Sequence, residues 1–115
     1  METKVITHIC YWWWGKSVNI IKVDGTAMVC VKFDEKSFPM TGYICDLSVV
    51  ESERMKGIGR VMMRKALLEC RAHEMTFARL HVDANNVWWL RAWYERLGFK
   101  ELSRDENEIE MIKEL

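Results

Sequence analysis

The spacing of apolar residues divides the chain into strand-like and helix-like segments. Short runs rich in β-branched and aromatic residues, bounded by polar or glycine-bearing stretches, predict strands. These runs are residues 4–13, 18–23, 26–33, 43–50, 77–83, 99–103 and 108–115. Apolar residues at helical spacing predict a helix over 61–72, and a second predicted helix over 87–97 ends at Gly98.

The order of these predicted elements is β-β-β-β-α-β-α-β-β. It favours an α/β (α+β) fold in which two main helices pack on a mixed, mostly antiparallel sheet. Between the second and third predicted strands, Asp24-Gly25 predicts a tight hairpin with a type I′ turn, which needs positive φ at both central residues. Because the chain contains no linker or repeat, we expect residues 1–115 to form a single domain.

Composition and charge exclude several classes of function. Half of the 115 residues are apolar, and 17 basic residues balance 17 acidic ones, so a nucleic-acid or membrane partner is not expected. No apolar run approaches the roughly 20 residues of a membrane helix, and the first residues lack signal-peptide order. We therefore expect a cytoplasmic location. The four cysteines form no CxxC motif, so they predict free thiols and no metal site.

The segment RMKGIGR, residues 54–60, places two glycines and three basic residues before a predicted helix. Unpaired N–H groups at a helix start attract anions, and glycine allows a phosphate close to the backbone. The segment is not a Walker loop, and Met62 stands where a dinucleotide-binding motif needs its third glycine. The pattern favours a pyrophosphate cradle of backbone amides, with a solvated basic turn as the alternative.

Two segments carry a resemblance to a known family. LSVVESERMKGIGRVMMRKAL, residues 47–67, resembles the signature of the GNAT N-acetyltransferase superfamily, with a Leu-x-Val strand, then R-x-x-G-x-G and a helix. WYERLGF, residues 93–99, resembles the family's Y-E-x-L-G-F segment in the expected order. The resemblance implies a GNAT-like sheet, acetyl-CoA as cofactor, and acetyl transfer to a primary amine of a small molecule, peptide or protein.

The resemblance also implies a role for each residue of these motifs. Backbone groups of Leu47 and Val49 would meet the acetyl and pantetheine portions of the cofactor. The pyrophosphate would be held by Arg54, Met55, Lys56, Gly57, Ile58, Gly59 and Arg60. Asn86 would contact the cofactor, with Asn85 as the alternative, and Tyr94 would protonate the departing thiolate. The strand that contains Leu47 and the strand that ends near Asp83 would splay apart around the pantetheine.

The general base is left open by the sequence. Some family members have a glutamate at the strand position that Tyr43 occupies here. Asp46, His81 and Asp83 are candidates, since a carboxylate or imidazole can act through water. Each also has an ordinary structural interpretation, as a strand-end carboxylate or a packing histidine. A non-catalytic acyl-CoA-binding module and a protein-interaction module are therefore alternatives to an enzyme.

The N-terminal part departs most from the family. Family members usually have two helices between the first strand and the hairpin, but here only residues 15–17 separate the predicted strands. We therefore expect the acceptor side to be open or closed by another subunit. The run Trp12-Trp13-Trp14 is a candidate for core, acceptor pocket or interface. We expect a homodimer with this run in or beside the interface.

Overall fold

A computed structural model describes residues 3–34, 36, 40–85 and 88–115. It contains β1 (Val5–Trp12), β2 (Gly15–Lys22), β3 (Ala27–Asp34), β4 (Thr41–Val49), α1 (Ile58–Ala72), β5 (Phe77–Asp83), α2 (Trp88–Arg96), β6 (Lys100–Arg104) and β7 (Glu108–Glu114). A short 3-10 turn, Glu51–Glu53, follows β4. The predicted order of elements and the predicted fold class are confirmed.

The seven strands form one sheet in the order β1-β2-β3-β4-β5-β7-β6. Every neighbouring pair is antiparallel except β4 and β5, which are parallel and are connected by α1. Since β6 is also parallel to β5, α2 forms a second crossover in the same direction. Right-handed crossovers that proceed in one direction place both helices on the same face of the sheet.

The hydrophobic core lies between this helix face and the two helices. Phe33 is fully buried and stacks against His73 at the end of α1, with ring centroids 4.4 Å apart. Alternate residues of the strands face α1, whose own buried residues are Met62, Met63, Ala66, Leu67 and Cys70. Helix α2 packs against the same core through Leu90, Trp93 and Tyr94, and Leu97 does so just after the helix ends. The opposite side of the sheet, called the open face below, is covered by neither helix.

The connection between β1 and β2 is a two-residue turn. Trp12 pairs with Gly15, which leaves only Trp13 and Trp14 between the strands. The prediction that no helix fits between the first strand and the hairpin is therefore confirmed. Trp12 and Trp14 stack with ring centroids 6.2 Å apart, and Trp13 is 86% exposed.

The turn between β2 and β3 differs from the prediction. It spans residues 23–26, and within it Gly25 has a φ of 77° whereas Asp24 does not have a positive φ, so the type I′ assignment is wrong. The Asp24 carboxylate instead accepts hydrogen bonds from Lys22 Nζ and from both the hydroxyl and the N–H of Thr26. These bonds lower the pKa of Asp24 and close a wider loop through the side chain.

Candidate functional site

The parallel strands β4 and β5 separate after a short pairing. Their register runs only from Thr41 opposite Phe77 to Tyr43 opposite Arg79, although β4 continues to Val49 and β5 to Asp83. β5 remains paired with β7 along its whole length. The C-terminal halves of β4 and β5 therefore bound a gap whose walls are strand backbone, as the resemblance implies.

A β-bulge lies at the point where β4 leaves β5. Cys30 pairs with Cys45 and Met28 with Ser48, so β4 has one more residue than β3 in this interval. The extra residue is Asp46, which has a φ of 54°. A bulge of this kind bends its strand and redirects the groups that follow it.

Leu47 and Val49 present backbone rather than side chain to the gap. Both side chains pack against the core on the helix face. The Val50 N–H donates to the Thr26 carbonyl at 2.9 Å, and antiparallel ladders alternate between bonded and unbonded pairs. The N–H and C=O groups of Leu47 and Val49 therefore point away from β3 and toward β5. This is the arrangement expected for residues that bond an extended ligand in the gap.

The N-terminus of α1 opens at the end of β4 and has no side-chain cap. Its N-cap residue, Gly57, is left-handed with a φ of 79°, and Met55 has a φ of 67°. The first bond of the helix runs from the Val61 N–H to the Gly57 carbonyl, so the N–H groups of residues 58–60 have no acceptor within the helix. Such donors, together with the helix dipole, favour an anion.

Three basic side chains surround this amide cluster, and two of them have partners. Arg54 Nε donates to the Val49 carbonyl oxygen at 2.9 Å. Lys56 Nζ lies 3.2 Å from a carboxylate oxygen of Glu53. Arg60 is exposed on the first turn of α1. The predicted cradle residues are thus adjacent, and their charge is partly balanced by Glu53.

The two glycines of the cradle have different surroundings. A Cβ on Gly57 would meet no atom within 4 Å, but the positive φ there is unfavourable for other residues. A Cβ on Gly59 would lie 3.9 Å from the Trp93 ring and 4.0 Å from a methyl group of Val49. Gly57 therefore provides the left-handed cap, while Gly59 lies where α2 packs beside the end of β4, at a distance that would still accommodate a Cβ.

Tyr94 follows Trp93 on α2 and is partly buried. Its ring makes edge contacts with Trp93 and Phe99, at centroid distances of 5.1 and 6.1 Å. Burial raises the pKa of the Tyr94 hydroxyl, so this group keeps its proton at neutral pH. A hydroxyl that keeps its proton, on the helix that packs beside Gly59 through Trp93, suits the general-acid role that the resemblance implies.

The two asparagines considered for cofactor contact lie after β5. Asn86 lies outside the described residues. Asn85 is exposed, and its backbone N–H donates to the Asp83 carboxylate at 2.9 Å. Asp83 therefore forms a turn cap, which agrees with the structural interpretation of that candidate base.

His81 is the candidate base that lies on the open face. Tyr43 and Arg79 share the open face where the gap begins, with the guanidinium 5.7 Å from the Tyr43 ring centroid. His81 lies two residues beyond Arg79 on the same face and is exposed, so the packing interpretation of this histidine is wrong. Its Nδ1 is 3.0 Å from Glu108 Oε2, and its Nε2 is 3.8 Å from Glu110 Oε1.

Two cavities on the open face flank the start of the gap. One of about 170 Å³ is lined by His81, Ser103, Arg104, Asp105, Glu108 and Glu110. The other, of about 340 Å³, is lined by Trp14, Lys32, Asp34, Lys36 and Tyr43.

The sequence-based predictions did not include Glu108, Glu110 and Lys32, which line these cavities. The available signal was strand alternation, which places them on the face opposite the apolar residues.

The described residues contain neither a metal-binding cluster nor a helix that could span a membrane. No group of three or more His, Cys, Asp or Glu side chains there is arranged to hold a metal ion. In the same part of the chain, no helix has the length and apolar character that crossing a bilayer requires.

A family model for the acetyltransferase (GNAT) domain matches residues 8–101, which is most of the chain. The chain belongs to the GNAT acetyltransferase family. It is therefore an acyltransferase, and the cofactor of its family is acetyl-CoA, which supplies an activated acetyl group. Two features fit that cofactor. The gap between β4 and β5 has backbone N–H and C=O groups directed into it, and the start of α1 has Gly57 as its N-cap residue and no side-chain cap.

Solved structures of GNAT acetyltransferases share this fold. The NatC complex bound to Gag peptide and CoA has a TM-score of 0.74 at 18% identity, over 86% of this chain and 70% of that one. Arabidopsis thaliana Naa50 in complex with the bisubstrate analogue CoA-Ac-MVNAL has a TM-score of 0.71 at 21% identity, over 86% and 72%. An Elizabethkingia anophelis GNAT acetyltransferase with acetyl-CoA bound has a TM-score of 0.73 at 11% identity, over 99% and 100%.

Proposed function

We propose that this GNAT protein transfers the acetyl group of acetyl-CoA to a primary amine of a small molecule, peptide or protein. The observation that carries the proposal is the gap between β4 and β5, which has the uncapped start of α1 at its end and the open face beside it. In this geometry the cofactor would bind along the gap and at the start of α1, and the acceptor would approach from the open face.

In this proposal, the cofactor is held mainly by backbone. The N–H groups from Met55 to Arg60 bind the pyrophosphate, and Arg54, Lys56 and Arg60 add positive charge. Leu47 and Val49 bond the pantetheine along the gap through the backbone groups that point toward β5. Binding through backbone makes the site tolerant of side-chain differences, because only the strand path and the helix start must be preserved.

The acceptor amine approaches from the open face. The helix face is filled by α1 and α2, whereas the open face presents Tyr43, Arg79 and His81 at the start of the gap. Two neighbours of similar fold were crystallised with a Gag peptide and with the bisubstrate analogue CoA-Ac-MVNAL, which supports a peptide as the acceptor class. The two shallow cavities beside the gap offer space for groups that flank the amine.

The chemistry needs two proton movements and one exchange of bonds. His81 takes a proton from the acceptor amine through water, since its imidazole faces the side from which the acceptor arrives. A backbone N–H near Val49 polarises the thioester carbonyl. As the N–C bond forms and the C–S bond breaks, Tyr94 donates its hydroxyl proton to the departing sulfur. Holding both reactants in register contributes on the order of 7–11 kcal/mol in well-oriented cases.

A non-catalytic acyl-CoA-binding or protein-interaction module is the alternative. Tyr43 favours it, because the strand position that supplies a carboxylate in some family members is a tyrosine here. The exposed Trp13 favours an interaction surface.

All four cysteines are free thiols, which supports a reducing, cytoplasmic location as a further part of the proposal.

Thiol release from acetyl-CoA, measured over a panel of amines, tests the proposal. The panel contains peptides with a free N-terminus, the same peptides with a blocked N-terminus and a free lysine, and small primary amines. Turnover with any free amine, together with a mass increase of one acetyl group on that amine, supports the enzyme. Acetyl-CoA binding in calorimetry without turnover on any amine would support the binding module instead. Absence of both would leave the interaction module.

A further inference from the structure

The two edges of the sheet have opposite character. β6 forms one edge with only five residues, all exposed, and three of them are the charged residues Lys100, Glu101 and Arg104. β1 forms the other edge with eight residues, VITHICYW, which include no Lys, Arg, Asp or Glu. Its exposed apolar side chains lie on both faces of the sheet, and they are Ile6, Ile9, Tyr11 and Trp12.

The free hydrogen-bonding groups of β1 belong to its odd-numbered residues. The Val23 N–H donates to the Lys4 carbonyl at 3.0 Å, one step beyond the paired residues Val5 and Lys22. Antiparallel bonding alternates, so the even-numbered residues of β1 bond to β2. The N–H and C=O groups of Thr7, Ile9 and Tyr11 therefore point outward along the edge. A short, charged edge such as β6 resists pairing, whereas a long uncharged edge such as β1 invites it.

We propose that two copies of this chain pair through antiparallel β1 strands and form one continuous sheet. A second copy fits this edge because the strand is complementary to itself. It has no Lys, Arg, Asp or Glu on either face, and it presents the same free backbone groups to a two-fold-related copy. The proposal is independent of the acetyl-transfer chemistry, since β1 lies three strands away from β4.

The geometry also selects a register. Outward groups pair with outward groups, so odd-numbered residues of one copy must face odd-numbered residues of the other. Among such registers, the one that places Ile9 opposite Ile9 also brings Ile6 opposite Trp12 and Thr7 opposite Tyr11. Shifting the pairing by one step toward the N-terminus would place His8 opposite His8 and Thr7 opposite Ile9, so that polar side chains replace the apolar pair at the centre. The Ile9-centred register pairs apolar groups on both faces.

Analytical ultracentrifugation of the intact chain tests this pairing. The wild type at tens of micromolar should sediment at twice the 13.7 kDa of one chain. Ile9→Pro removes an outward N–H that the β1–β2 ladder does not use, so it should give a folded monomer. Leu102→Lys changes an exposed side chain on the other edge strand, β6, and serves as the control. This variant should remain a dimer. A monomeric wild type, or a dimeric Ile9→Pro, would overturn the proposal.

Charge complementation tests the register. Ile9→Lys and Ile9→Glu should each be monomeric, because like charges would lie opposite each other at the two-fold axis. An equimolar mixture of the two variants should recover the dimer, and recovery should weaken as salt rises. Circular dichroism of each variant separates loss of pairing from loss of folding. If both variants are folded and their mixture stays monomeric, the Ile9-centred register is wrong.

Discussion

Arg54 Nε donates a hydrogen bond of 2.9 Å to the carbonyl oxygen of Val49. This bond joins the first residue of the proposed phosphate cradle to the last residue of β4, across the short turn that separates them. The carbonyl that Arg54 engages is one that points toward the gap. The same side chain therefore positions the end of the strand and supplies positive charge beside the cradle.

Arg54→Ala should weaken acetyl-CoA binding and reduce its dependence on salt. The variant loses a charged donor, and hydrogen bonds to charged groups contribute about 1.5–3 kcal/mol, so the affinity should fall by a factor of at least about ten. Calorimetry at several salt concentrations measures both effects. Arg71→Ala is the matched control, because Arg71 is exposed in the last turn of α1, at the end of the helix opposite to the cradle. Equal losses in the two variants would mean that only net charge matters.

The two glycines should separate in their effects on binding. Gly57→Ala should lose acetyl-CoA affinity, because an L-residue with left-handed φ costs roughly 1–2 kcal/mol and its Cβ enters the open cradle. Gly57→Asn should lose less, since asparagine tolerates this conformation. Gly59→Ala should bind normally, because its Cβ meets the Trp93 ring at an ordinary contact distance. Calorimetry measures the acetyl-CoA affinity of each variant, and melting temperatures show whether the variant is folded. If Gly59→Ala loses as much affinity as Gly57→Ala, the predicted difference between the two glycines is wrong.

Tyr94→Phe should lower turnover on the order of 10²-fold, the low end for general acid catalysis. The hydroxyl acts as charge develops on sulfur, so acetyl-CoA affinity of the variant should stay near the wild-type value. The pH profile is a second readout. Burial raises the pKa of Tyr94, so the wild-type rate should fall only at pH above the usual tyrosine range. This fall in rate at high pH should be absent in Tyr94→Phe. A variant with wild-type turnover would make Tyr94 a packing residue.

His81→Ala should reduce kcat/KM on the order of 10²-fold, because the variant lacks the imidazole that is proposed to take the acceptor proton. Added imidazole should restore part of the activity, since removal of the side chain leaves space beside Glu108. Tyr94→Phe is the control for this rescue and should not respond to imidazole. If His81→Ala is as active as the wild type on a good acceptor, the base must be sought elsewhere.

Two cysteines should resist alkylation in the native protein. Burial raises the pKa of Cys70 to about 12, and burial together with the neighbouring Cys30 raises the pKa of Cys45 to about 12. At pH 8 each thiol is then ionised at only about one part in 10⁴, and the thiolate is the reactive form. Iodoacetamide labelling read by mass spectrometry should modify neither residue until denaturant is added. Rapid native labelling of Cys45 would indicate that β4 opens at the bulge.

The sequence alone was enough for the local features of this protein. Strand and helix order follows from apolar spacing, and RMKGIGR predicts an anion-binding helix start because its glycines and its position before the helix are visible in the sequence. The short connection after β1 also follows, since no helix fits into so few residues. The Asp24-Gly25 turn was predicted wrongly, because side-chain capping by Asp24 competes with the turn that the dipeptide usually forms.

Tertiary structure decided which of these residues act together. His81 and Glu108 are 27 positions apart and meet only because β7 inserts between β5 and β6. The different surroundings of Gly57 and Gly59 depend on where α2 docks, and the outward groups of β1 depend on the register with β2. Sequence spacing constrains neighbours along one element, whereas contacts between elements depend on strand order and packing. Contacts between elements therefore determine which side chains lie beside His81, which face of the sheet the helices leave uncovered and which strand forms its edge.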